Sequence, residues 1–209
     1  MRKTIKTGIF GGTFDPPHNG HLTLAQSALN SLGLDEVVWM VTPLPPHKGD
    51  EQITAFHHRL AMVYLCVLEY PQFKVSDLES HREGPHYTLD TIRLFRQASP
   101  ERELTLLIGG DSLTNFHLWH QPKSLLREIK QLGVFSRRDQ EFELGEFLKN
   151  FPSMKDKVNF IKSEPIDISS TAIRHTVMSG LPIKELVPNK VADYILRNGL
   201  YRSTRFRSL

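Results

Sequence analysis

Apolar positions along the chain follow two spacings: short unbroken runs, and longer stretches that return about every 3.6 residues. The runs "TIKTGIF", "EVVWMVT", "FKVSD", "ELTLLIGGD", "KQLGVFSR" and "VNFIKS" predict strands, with the first central and "ELTLLIGGD" fully buried. Between them, Leu22, Ala25, Leu29 and Leu32 share one face of a helix that starts at about Gly20 and ends at Gly33 in a C′ position. Phe56, Leu60, Val63, Tyr64 and Val67 keep register in a second helix, after the proline-rich stretch "PLPPHKGDEQ". A third, "YTLDTIRLFRQ", has Thr88 as its N-cap. Two more close the sequence. One lies in "ISSTAIRHTVMSG", capped by Ser169, Ser170 or Thr171 and stopped near Gly180; the other is "NKVADYILRNG", stopped at Gly199.

Strands alternating with helices predict an α/β fold in which a doubly wound parallel sheet carries helices on both faces. We assign residues 1–201 to one domain and 202–209 to a basic tail. In such sheets ligands bind beyond the carboxyl ends of the strands, where the strand order reverses.

Composition narrows the function classes. Hydrophobic residues at 39% and charged residues at 23% describe an ordinary soluble globule, and no run approaches the roughly 20 apolar residues of a membrane span. The start "MRKTIKTGIFGG" has no apolar core of a signal peptide, so export is not expected. A single cysteine, Cys66, within "LAMVYLCVLEY", leaves no internal disulfide and reads as core packing in a reducing cytoplasm. The net charge of +3 is concentrated in the tail, at Arg202, Arg205 and Arg207, which reads as a solvated terminus. Anionic small molecules are the expected partners, not nucleic acid.

The strand-to-helix junctions carry the chemistry. After the first strand come Gly11, Gly12, Thr13, Asp15, His18 and His21; after the second, His47 and Lys48; after the third, Arg82, Tyr87 and Thr88. The fourth leads to Gly109, Gly110, Asp111, Ser112 and Trp119, and the last to Ser169, Ser170, Thr171 and Arg174. Glycines, backbone donors, cations and hydroxyls on one sheet edge suit a nucleotide and a second anionic substrate. Gly11 and Gly12 let backbone N–H groups reach a phosphate, and the following helix aims its positive end there. His18 and His21 reach the same side of the first turn. A zinc reading would add Asp15 as a ligand, but neither a His-Glu-x-x-His spacing nor a nearby cysteine supports it. A structural reading makes both histidines helix caps. If the nucleophile is a phosphate oxygen it is already ionised at pH 7, so the imidazoles act as donors to the phosphorus under attack and not as bases.

"GGTFDPPHNGH" is similar to the His-x-Gly-His nucleotidyltransferase motif, and "ISSTAIR" to that superfamily's second motif. With "PPHK", "YTLDT" and "GGDSLTNFHLW", the chain resembles the bacterial-type nicotinate mononucleotide adenylyltransferases over roughly residues 8 to 201. The resemblance implies a Rossmann-like fold and a reaction of ATP, with Mg2+, and nicotinate mononucleotide to deamido-NAD and pyrophosphate. It places Gly11, Gly12, Thr13, Phe14, His18, His21, Gly109, Asp111, Ser170, Thr171 and Arg174 around ATP. It places Thr13, Lys48, Tyr87, Thr88, Leu118 and Trp119 around the mononucleotide, and gives His18, His21, Lys48 and Arg174 to catalysis. Trp119 would stack on the pyridinium ring, and backbone N–H groups near Thr88 and Leu118 would hold the carboxylate.

Two departures from the family pattern stand out. Pro17 replaces a more usual aliphatic residue, and "SRRDQEF" stands where an Arg-Pro-x-Gly-like turn is expected, which leaves Arg137 and Arg138 without an assigned role. Most of His47, His81, His86, His117 and His120 are expected in surface loops, with His47, the neighbour of Lys48, the best exception. Competing readings are an enzyme for nicotinamide mononucleotide or phosphopantetheine, a cytidylyltransferase, a non-catalytic nucleotide sensor, and a metal-dependent hydrolase that lacks an acidic cluster.

Overall fold

All six apolar runs form strands, and all six pair in parallel. A computed structural model describes residues 4–43, 53–135, 140–162 and 167–202. The strands are β1 (Ile5–Gly12), β2 (Glu36–Val41), β3 (Phe73–Ser76), β4 (Arg102–Gly109), β5 (Gln131–Phe135) and β6 (Val158–Ile161). Their order is β3-β2-β1-β4-β5-β6, so the winding reverses between β1 and β4. This is the Rossmann-like arrangement, and its crevice opens at the carboxyl ends of those two strands.

Alternation along the strands builds two cores. Phe10, Val37, Trp39 and Val41 face α1 (Asn19–Ser31), α2 (Phe56–Val67), α7 (Ser170–Met178) and α8 (Asn189–Arg197). Ile9, Val38, Met40, Leu106 and Ile108 face α3 (Thr88–Ala98), α4 (Gly110–Thr114), α5 (Pro122–Glu128) and α6 (Gln140–Asn150). Every residue of β2 is buried, as its unbroken apolar run requires for a strand covered on both faces. Helix α1 stops where predicted, with Gly33 at φ +56° and the Leu34 N–H donating to the Leu29 carbonyl. Cys66 is buried, and burial pushes its thiol up to about 12, so it packs and does not react.

Three helices escape the periodicity reading: α4, α5 and α6. The first two are short, and α6 is polar on most of its surface, with Phe147 its deeply buried apolar residue. Among the described residues no helix is long and apolar enough to cross a membrane.

Candidate active site

The turn after β1 enters α1 through an unusual cap. His18 is the N-cap residue, and its Nδ1 accepts from the His21 N–H at 3.3 Å. The Nδ1 of His21 accepts in return from the His18 N–H at 3.2 Å. This is a capping box made from two imidazoles in place of a hydroxyl and a carboxylate. The rings stack with centroids 3.7 Å apart. Because each Nδ1 accepts, the hydrogen-bond network puts the proton of each neutral ring on Nε2, at its far edge. Enclosure of the ring, and secondarily the neighbouring His18, hold His21 well below the usual histidine range, so it is neutral at pH 7. The two readings of the pair, caps and donors, do not exclude each other: the cap uses one nitrogen of each ring.

The rest of the turn is fixed by packing. Phe14 takes a left-handed backbone, φ +50°, at a cost of about 1 kcal/mol. Its buried ring offsets that, lying 5.1 Å from both Trp39 and His21 and 5.6 Å from Phe10. Gly12 is a glycine for this reason: a Cβ there would lie 2.9 Å from the Phe14 ring. A Cβ on Gly11 would meet nothing within 4 Å, so that space is left open by the protein itself.

Helix α7 is tied to the same turn. Ser169 caps it, accepting from the Ala172 N–H at 3.1 Å. The Ser170 hydroxyl donates to the Pro16 carbonyl at 2.8 Å, and an Arg174 guanidinium N–H donates to the Asp15 carbonyl at 2.9 Å. The N-termini of α1 and α7 are thereby tied to one turn, which brings the positive ends of two helices together. Asp15 is occupied from both sides: the Tyr201 hydroxyl donates to Oδ1 at 2.6 Å and the Thr54 N–H to Oδ2 at 3.1 Å. Burial, and then Asp15 itself, raise the Tyr201 phenol, so it remains a donor. Asp15 is thus a structural acceptor and not a third metal ligand; among the described residues no three His, Cys, Asp or Glu side chains converge.

On the other side of the turn a cavity of about 390 Å³ opens over the ends of β1 and β4. It brings together Gly11, Gly12, Thr13, Tyr87, Thr88, Gly109, Leu118 and Trp119 of the sequence-predicted set. His18, His21, Ser170, Thr171 and Arg174 do not line it; they belong to the helix-terminus cluster across the Gly-Gly-Thr turn. Trp119 is half-buried and backed by Phe116 at 5.0 Å, while Tyr87 stacks on His120 at 4.0 Å. Gly109 is the N-cap of α4, and Asp111 stands exposed in its first turn.

Several expectations are corrected. Thr88 is not an N-cap: Tyr87 holds that position without a side-chain bond, and Thr88 is the first helical residue. Its N–H and that of Leu89 have no carbonyl inside the helix to donate to, so they point to the same anion-binding use by a different route. The N–H groups of Leu118 and Trp119 are already spent, on the carbonyls of Asn115 and Phe116 at 3.0 and 3.1 Å. The Ser170 hydroxyl proton is spent on Pro16, and the Phe14 ring sits in the core. His86 is not a surface residue: it is buried in the wall of the cavity that Glu79 also lines, and Nδ1 of His86 and Oε2 of Glu79 have no hydrogen-bond partner among the described residues. His47, Lys48, Arg137, Arg138, Arg205 and Arg207 lie outside the described residues.

Sequence reading missed Tyr201, Glu79, Thr91 and Arg59. Thr91 donates to Glu79 at 2.6 Å and receives a bond from Arg82, a network beneath the Tyr87–Thr88 corner. Arg59 carried a signal. It sits in register with Phe56, Val63 and Val67 on the apolar face of α2, where a charge needs a partner.

The cytidylyltransferase-like family profile matches residues 9–176. A nicotinate-nucleotide adenylyltransferase of Bacillus subtilis is 40% identical over 198 residues, covering 95% of this chain and 99% of that protein. A probable nicotinate-nucleotide adenylyltransferase of Clostridium tetani is 39% identical over 199 residues, covering 94% and 99%. Among solved structures, Plasmodium falciparum nicotinic acid mononucleotide adenylyltransferase complexed with NaAD has a TM-score of 0.76 at 22% identity, covering 94% of this chain and 97% of that one. At that identity the likeness is one of fold.

Proposed function

We propose that this chain, which belongs to the cytidylyltransferase-like family and groups there with nicotinate-nucleotide adenylyltransferases, joins ATP and nicotinate mononucleotide to give deamido-NAD and pyrophosphate. The observation that carries this reading is the reciprocal histidine cap, which fixes both imidazoles through Nδ1 beside the paired N-termini of α1 and α7.

The 5′-phosphate of the mononucleotide is the nucleophile. Its second pKa is near 6, so it is ionised at pH 7 and no base is required. An oxygen of that phosphate attacks the α-phosphorus of ATP in line, and the bond from that phosphorus to the bridging oxygen breaks to release pyrophosphate. Charge builds on the non-bridging α-oxygens, where His18 and His21 donate from Nε2, with both rings already in place before attack. The helix N-termini, with the N–H groups of Ser170 and Thr171 and the Arg174 guanidinium, hold the leaving pyrophosphate. The ATP phosphates lie along Gly11, Gly12, Thr13 and Phe14, and Gly109 and Asp111 face the ribose side.

The pyridinium ring stacks on Trp119 inside the cavity, with Tyr87 at its edge. Its carboxylate lies at the N-terminus of α3, against the N–H groups of Thr88 and Leu89, where an anion is favoured over a neutral amide. A divalent cation, magnesium in this reading, arrives with ATP and is held by phosphate oxygens and water, as suits an ion that dehydrates reluctantly. The reducing cytoplasm, where a single buried thiol is unremarkable, is the compartment assigned.

The reading is tested by pyrophosphate release from Mg-ATP in the presence of nicotinate mononucleotide, nicotinamide mononucleotide or phosphopantetheine. Release that requires a mononucleotide supports it. Release with phosphopantetheine alone, or with none of the three, rejects it.

A further inference from the structure

Arg59 is 1% exposed; the Asp15 carboxylate acts on its charge from a distance, but among the described residues its hydrogen bonds go to main-chain oxygens. Nε donates to the Thr54 carbonyl at 2.8 Å. Nη1 donates to both Thr13 and Thr42 at 2.8 Å, and Nη2 donates to Pro43 at 2.7 Å. The four acceptors come from three separate places. Thr13 belongs to the turn after β1, Thr42 and Pro43 to the exit of β2, and Thr54 to the entry of α2. The connection is closed again at its far side, where the Thr54 N–H meets Asp15 and the Thr42 N–H donates to the Gly12 carbonyl at 3.0 Å.

A buried cation is a costly way to fill a core position, and a methionine of similar length would pack there without desolvating a charge. What the guanidinium supplies is a rigid planar fork of donors, which fixes the relative positions of several carbonyls at once. Those carbonyls bracket the phosphate-facing turn on one side and, on the other, the chain that leaves β2 next to the cavity wall at Thr42.

We propose that Arg59 is a positioning residue for adenylyl transfer, holding the Gly11–Thr13 turn and the exit of β2 at one fixed separation so that donor and acceptor phosphates meet in line. This rests on the activity proposed above. The residue touches neither substrate; it acts through the two turns.

The experiment compares the wild-type enzyme with Arg59→Lys and Arg59→Met. Lysine keeps the charge but offers three donors from one point, so it cannot satisfy four carbonyls spread around a plane. For Arg59→Lys, kcat falls about 10²-fold, the loss expected of a misplacement of about 1 Å. KM for Mg-ATP stays within about threefold, because ground-state contacts survive. Arg59→Met loses at least as much. Independently of turnover, amide hydrogen exchange at Thr42 and Thr54 accelerates together in Arg59→Lys, while Ile9 and Phe10 in β1 keep their protection.

Wild-type kcat in folded Arg59→Lys overturns the proposal. So does exchange that is unchanged, or that rises in parallel across β1 as general destabilisation would produce. If the wild-type enzyme itself turns over no mononucleotide, the activity reading fails, and the exchange measurement still decides whether Arg59 couples the two turns.

Discussion

Splitting the two nitrogens of His18 by substitution separates its structural from its chemical role. Asparagine places a carbonyl oxygen about where Nδ1 stands and can accept the His21 N–H, but nothing of it reaches the position of Nε2. Glutamine places an amide N–H near Nε2 but has no acceptor at the cap. The His18→Asn variant should therefore keep its stability, since asparagine is among the best N-cap residues. The His18→Gln variant should lose about 0.5–2 kcal/mol with the cap. Activity runs the other way. Removing one preorganised donor to a developing oxyanion costs about 10²–10³ in kcat, roughly 2.7–4 kcal/mol, so His18→Asn should be impaired to that degree and His18→Gln distinctly less. The assays are thermal unfolding of each variant and initial rates of pyrophosphate release at saturating Mg-ATP. The cap bond that the argument starts from is the 3.3 Å contact between the His21 N–H and His18 Nδ1. The reasoning is refuted if His18→Asn turns over at the wild-type rate, or if the two variants lose activity in step with stability.

Two further outcomes follow from the same turn. A Cβ on Gly12 meets the Phe14 ring at 2.9 Å while one on Gly11 meets nothing, so Gly12→Ala should lose about 1–3 kcal/mol of stability and Gly11→Ala almost none. Gly11→Ala should instead raise KM for ATP, and equal unfolding midpoints would contradict the packing argument. The pH dependence of stability is set in part by His21, whose folded pKa lies below its unfolded value of about 6.5. The unfolded state then binds more protons, so this contribution is complete above pH ~6.5 and is lost as pH falls through that value toward the folded pKa, at no more than about 1.4 kcal/mol per pH unit. Urea midpoints at pH 7.5 and 5.0 should fall further in the wild type than in His21→Asn; equal falls would remove His21 from the acid limb.

How legible the protein is from sequence depends on which interaction carries the information. β2 was plain because an unbroken apolar run has one good solution, a strand covered on both faces. The end of α1 was plain because Gly33 supplies a left-handed residue where the periodicity stops. α5 was hidden: its seven residues are too few for a periodic signal, although Pro122 at its first turn is a start mark. A capping role for both histidines was open from the sequence, but not that each caps the other, since no propensity table pairs two imidazoles across a helix N-terminus. Thr88 misled because a threonine before an apolar run looks like a cap, and only the backbone shows that the helix has already begun there. Arg59 and Tyr201 act on main-chain and side-chain atoms up to 186 positions away in sequence, a range at which local patterns carry nothing.

The most direct test of the central claim is a competition for one enzyme: equal concentrations of nicotinate and nicotinamide mononucleotide with limiting Mg-ATP, the two dinucleotide products being quantified by mass spectrometry. The product ratio equals the ratio of kcat/KM values. An anion site at the N-terminus of α3 predicts deamido-NAD in excess by about tenfold or more, about 1.4 kcal/mol of discrimination. A ratio near one, or an excess of NAD, would contradict the account of the second substrate.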